Sequence, residues 1–279
     1  MKVVKLITKT SDLFHKYLKI PYALNVEVFQ APKKPKATFV FIHGIGNNLH
    51  SWDKVVALMP KDVRLIGIDL LGFGNSPRPQ WAKYNAKSQA RSVAITLLGM
   101  RLAHQPILVG HSLGALVSVE VAKRYPLAVR RLVLCSPPFY KPEVKGKKLK
   151  SNDDILRELY RIASKFPEQL EKFSPVAVKF GLANKSLNIT QDNVSSYFAA
   201  LEASIINQTS LEDIEKVKAP IDIFYGTFDP VVIKKHITTL AKTHENITAK
   251  RLIAGHEVVG GYEKNLATFL TSLRNVKEK

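Results

Sequence analysis

The stretch Ile107–Ala115 reads ILVGHSLGA. An apolar run stops at Gly110, a His and a Ser follow, and a helix-like pattern starts at Gly114. A buried strand that passes straight into a helix leaves a very tight turn. Side chains on either side of Ser112 would meet the crossing strand and helix, so Gly suits positions 110 and 114. Such a turn presents a hydroxyl at the carboxyl end of a sheet, where open α/β folds keep their sites. The helix start also aims free N–H groups at developing negative charge. Taken alone, the pentapeptide fits equally a glycine-lined turn with Ser112 as an ordinary helix N-cap.

Working outward, short apolar runs alternate with helical patterns. ATFVFIH (37–43), VRLIGID (63–69), PILVGHS (106–112), RRLVLCS (130–136), IDIFYG (221–226) and TAKRLIAG (248–255) read as strands. Most are nearly continuous in apolar residues, as a parallel sheet covered on both faces requires. LNVEVFQAPK reads as an extra strand pairing antiparallel at one edge. Ala90, Val93, Ala94, Leu97 and Leu98 form one stripe of a helix capped by Asn85. Ser112–Arg124, Val231–Lys242 and Tyr262–Leu273 read as further helices. The alternation predicts an α/β fold with a doubly wound, mostly parallel sheet. Between Ser136 and Pro220 no strand is evident, and DDILRELYRIASKFPEQLEKF and NVSSYFAALEASIIN read as helices. The expected organisation is a core of residues 1–138 and 215–279, with 139–214 inserted as a helical cap.

Composition narrows the function classes. The chain has 279 residues, 46% of them hydrophobic, enough for a large core. Its single Cys, Cys135, lies in an apolar run and reads as a core thiol. The formal net charge is +19. The densest cluster, KPEVKGKKLK (141–150), holds five Lys but no interleaved aromatics. That pattern favours a solvated surface and no nucleic-acid partner. The N-terminal residues MKVVKLITKTSDLFHKY contain no signal-peptide-like apolar stretch, and no segment approaches a membrane span. A cytoplasmic protein without stable membrane insertion is expected, and its oligomeric state is not legible.

A Ser hydroxyl needs a base to act as a nucleophile. Of eight His, His111 adjoins Ser112 but its side chain should diverge from it. His256, in LIAGHEVVGG, follows the last strand and belongs to the same sheet edge as Ser112. The base in turn needs an orienting carboxylate. Asp229, on the loop after IDIFYG, suits this better than Asp222 inside that strand. Oxyanion donors complete the chemistry. His43-Gly44-Ile45-Gly46 ends the first core strand, so the N–H of Ile45 and that of Leu113 are the expected donors, with His43 bracing the loop.

Together these residues resemble the α/β-hydrolase superfamily, whose catalytic order is Ser112…Asp229…His256 here. DLLGFGNSPRP (69–79), HSW (50–52) and YPLAVRRLVLCSPP (125–138) are similar to further family motifs. The resemblance implies a capped serine hydrolase, most simply a carboxylesterase for small or medium acyl esters, with no metal or cofactor. It leaves open a thioesterase, a carbon–carbon hydrolase of diketone acids, and a ligand-binding protein on the same scaffold.

Overall fold

The computed structural model describes residues 12–141, 153, 154, 158 and 193–275. Its sheet contains β1 (Val26–Gln30), β2 (Thr38–Ile42), β3 (Arg64–Ile68), β4 (Ile107–His111), β5 (Arg131–Cys135), β6 (Ile221–Gly226) and β7 (Ile247–Leu252). The spatial order is β1-β3-β2-β4-β5-β6-β7. β1 pairs antiparallel with β3 at one edge, and every other pairing is parallel.

The strands β2, β4 and β6 are buried along their whole length. Alternate residues therefore feed two cores. Val40, Ile66, Leu108, Leu132 and Ile223 face one, while Phe39, Leu65, Val109, Val133 and Phe224 face the other. β7 differs, because its residues Thr248–Arg251 are all exposed. A charged edge strand is the usual guard against pairing with another chain.

The helices α1 (Ala86–Gly99), α2 (Leu113–Arg124), α3 (Val194–Ala200), α4 (Lys234–Thr243) and α5 (Tyr262–Leu273) surround the sheet. The side chain of Asn85 accepts from Ser88 N–H at 2.9 Å and so caps α1 at the expected residue. α1 and α2 pack on the first core, whereas α5 covers the second with Leu266 and Leu270. α2 is buried from Leu113 to Ala122, since it lies centrally over the sheet.

Two element readings change. The helix expected from Val231 starts at Lys234 instead. Asp229 Oδ1 accepts the N–H groups of Val231 and Val232 at 2.8 and 3.2 Å, so those residues are turned around a carboxylate rather than wound into a helix. The helix expected through Asn207 becomes a π-helical stretch at Leu201–Ile206 after α3.

Most of the expected cap lies outside the described residues, including all but three residues of DDILRELYRIASKFPEQLEKF, Phe180 and nearly all of the Lys141–Lys150 cluster. The described part sits on the loops at the carboxyl edge. Ser204 Oγ donates to Tyr84 O at 2.8 Å, and Gln208 Nε2 donates to Pro138 O at 2.8 Å.

Candidate active site

Ser112 is the joint between β4 and α2. Its backbone has φ 50° and ψ −115°, a region that costs a non-glycine residue about 1–3 kcal/mol. The surroundings hold it there. Ser112 N–H donates to Cys135 O at 2.9 Å, and Ser112 O accepts from Ala115 N–H at 3.0 Å. The Ser112 side chain makes no capping bond to α2, so its hydroxyl is not used as an N-cap. A Cβ on Gly110 would lie 2.4 Å from Gly114 O, and one on Gly114 would lie 2.2 Å from Ile42 O. Both obstacles are backbone, so only Gly allows strand and helix to cross this closely.

His256 stands on the loop between β7 and α5. Its Nε2 is 3.1 Å from Ser112 Oγ, and its Nδ1 is 2.8 Å from Asp229 Oδ2. Asp229 is 3% exposed, and each of its oxygens has a partner: His256 on one, and the Val231 and Val232 N–H groups on the other. An ionised carboxylate here fixes the tautomer with the proton on Nδ1, leaving Nε2 to accept from the hydroxyl. Burial alone would push the Asp229 carboxyl up. The hydrogen bond and charge of His256, with the two backbone donors, outweigh it and hold the carboxyl below its ordinary value. Burial likewise pushes His256 down. Its bond to Asp229 and the charges of Asp229 and Glu257 prevail, so the imidazole sits above its ordinary value.

The HGIG loop stands against the serine, as a Cβ on Gly44 would lie 3.3 Å from Ser112 Cβ. His43 is fully buried. Its Nδ1 lies 2.7 Å from Gly44 O, and its Nε2 accepts from Leu70 N–H at 2.9 Å. Burial lowers its pKa, which fits a neutral ring bridging two loops. Ile45 is half-buried in the HGIG loop, and Leu113 is the first residue of α2.

Three residues make contacts that sequence reasoning did not assign. His111, set aside as a base, turns the other way and places Nε2 3.0 Å from His256 O. Its ring stands edge-on to Trp52 at 6.5 Å, and burial lowers its pKa. A polar residue ending a buried strand is the only sequence signal for it. Gly226 ends β6, where a Cβ would lie 2.3 Å from both Ala254 O and Gly255 O. That contact lets the His256 loop close over the end of β6, just before the loop carrying Asp229. Asp69 ties the DLLGFGNS loop together. It accepts from Leu49 N–H, Asn75 N–H and Asn25 Nδ2 at 2.8, 2.8 and 2.9 Å.

Other polar groups are engaged elsewhere. Asp222 bonds Arg131 and Thr248 inside the sheet at 2.5 and 2.7 Å. Cys135 is buried, and its burial pushes the thiol up to about 12. Among the described residues no His, Cys, Asp and Glu cluster suits a metal ion, and no helix is long and apolar enough to cross a membrane.

A sequence model of the alpha/beta hydrolase fold matches residues 37–183, more than half of the chain. The chain belongs to the alpha/beta hydrolase family. Its relatives include probable lysophospholipase BODYGUARD 4 of Arabidopsis thaliana, 30% identical over 116 residues. That match covers 41% of this chain and only 28% of the plant protein. Lipase 3 of Moraxella sp. is 27% identical over 262 residues, 86% of this chain and 78% of the relative. Among solved structures, an esterase from Exiguobacterium antarcticum superposes with a TM-score of 0.70 at 16% identity, covering 91% of this chain and 96% of that one. At that identity the likeness concerns the fold.

Proposed function

We propose that this hydrolase-family chain is a serine hydrolase that cleaves carboxylic esters of small or medium acyl chains. The observation that carries the reading is the continuous chain from Ser112 Oγ through His256 to Asp229, at 3.1 and 2.8 Å, built on a strained serine. His256 Nε2 takes the hydroxyl proton as Ser112 Oγ attacks the acyl carbon. The charge moves to the acyl oxygen, held by the N–H groups of Ile45 and Leu113. As the oxygen's electron pair returns, the ester C–O bond breaks, and His256 gives its proton to the departing alkoxide. Water then attacks the acyl-enzyme with the same base, which releases the acid and restores Ser112. Neither metal nor cofactor takes part.

Relatives named as a probable lysophospholipase and a lipase, and a structural neighbour named as an esterase, support ester chemistry. In the same reading, residues 139–214 form the cap that encloses the acyl group. Phe139 and Tyr140 are buried at its base.

The test is Ser112→Ala. Turnover of p-nitrophenyl butyrate should fall by about a millionfold, and a fluorophosphonate probe should label the parent only. A variant that hydrolyses the ester at the parent rate ends the proposal.

A further inference from the structure

The segment that precedes β1 has its amphipathicity reversed. Residues 12–17 are helical, and the chain then runs to the buried Tyr22. Its anchoring contacts are polar or aromatic. Tyr22 Oη donates to Asp12 Oδ1 at 2.7 Å, His15 stacks on Tyr22 with ring centroids 3.7 Å apart, and Arg91 of α1 donates to Lys19 O at 2.8 Å. The apolar side chains are left outside. Leu13 is 50% exposed, Phe14 63%, Tyr17 72%, Leu18 61% and Ile20 46%. Scattered exposed apolar residues are ordinary, but a run of five rimmed by charge marks an interaction surface.

Beside this segment lies a groove of about 400 Å³. Lys16, Lys19, Lys83, Lys87 and Arg91 line it around Trp81, and among the described residues no acidic side chain does. Trp81 is itself 38% exposed. Leu71, also in the lining, belongs to the loop leaving the carboxyl end of β3, the sheet edge that carries Ser112. The groove therefore reaches the carboxyl edge of the sheet.

We propose that this patch docks the protein on an anionic phospholipid surface. The chemistry selects that occupant. A nucleic acid would use the cations and leave the exposed Leu, Phe and Ile side chains in water. A second copy in a two-fold contact would set this cation cluster against itself. An anionic bilayer satisfies both halves. The apolar side chains enter the boundary between headgroups and acyl chains, and the Lys and Arg side chains meet the phosphates. The +19 net charge adds long-range attraction.

The experiment is co-sedimentation with vesicles of phosphatidylcholine containing about 30% phosphatidylglycerol, against pure phosphatidylcholine, at low and high salt. The parent should bind the mixed vesicles at least about tenfold more strongly, and less so as salt rises. Phe14→Ser with Leu18→Ser should weaken binding at least about tenfold. Lys16→Gln with Lys19→Gln and Lys83→Gln should weaken it about a hundredfold. The control triple Lys54→Gln, Lys61→Gln and Lys242→Gln removes the same charge from exposed positions elsewhere and should do far less. Because Trp52 is buried, a blue shift of tryptophan emission on the vesicles reports Trp81. Each altered position is exposed, and unchanged melting curves show that the variants fold.

Parent-like binding by the Phe14→Ser, Leu18→Ser variant overturns the proposal. So does an equal loss in the control triple, which would mean bulk charge alone, or binding with no Trp81 shift. A parent dimer that this double variant dissolves assigns the patch to a second copy instead. Ser112→Ala should bind vesicles like the parent, so this proposal and the ester reading fail separately.

Discussion

Ser112 and His256 meet across 3.1 Å from very different ground. Ser112 lies between a strand and a helix that are buried throughout, β4 and the Leu113–Ala122 part of α2. His256 lies on a loop with exposed neighbours, Ile253 and Gly255, beyond an edge strand exposed along its middle. The serine is immobilised by packing, which forces it into a strained conformation. The imidazole is immobilised by hydrogen bonds to Asp229 on its ring and from His111 on its carbonyl. The two sides should therefore fail in different ways: the serine side to added atoms, the imidazole side to lost partners.

The largest effect is expected from Asp229→Asn. An amide in that place favours the wrong tautomer of His256, so kcat should fall about 10⁴-fold, or about 5 kcal/mol. The sign of the pH effect follows from the shifts. Asp229 raises the His256 pKa, and the base must be neutral to accept a proton. Activity in the parent should rise as pH passes through that raised pKa. In the variant the pKa falls, so the acid limb of the residual activity moves to lower pH. A pH–rate profile with an unmoved limb would separate Asp229 from the base.

Gly114→Ala tests the packed side. Its Cβ would meet the Ile42 carbonyl at 2.2 Å, so we expect about 3 kcal/mol of lost stability in urea unfolding. A parent-like midpoint would show that strand and helix can part without cost. His111→Ala tests the hydrogen-bonded side more gently. The His256 carbonyl loses its partner, and kcat should drop about tenfold with KM little changed. His111→Gln, which keeps an N–H donor, should recover most of the loss. Equal losses in the two variants would mean that ring packing against Trp52 matters and the bond does not.

The elements that were legible in advance are those with strong local signals. IDIFYG is a strand over those same residues, and Asn85 caps α1 as its side-chain chemistry suggests. Ser112, Asp229 and His256 were each readable as residues just past a strand end, because strand ends are marked by local hydropathy. The late start of α4 was not readable, because it depends on an Asp229 oxygen turning toward Val231 and Val232. Nor was the outward face of residues 12–20, since Leu13, Phe14, Leu18 and Ile20 would be placed in a core by hydropathy alone.

The sequence by itself determined the number of core strands, their parallel character and the residues offered at their ends. These follow from apolar runs, turn residues and Gly spacing, which act over a few neighbours. Only the tertiary structure decided the strand order β1-β3-β2-β4-β5-β6-β7, the bond from His111 to the His256 loop and the approach of that loop to Gly226. These contacts join residues far apart in the chain, up to 145 positions for His111 and His256. Their partners are set by how the layers pack, and no local pattern records that.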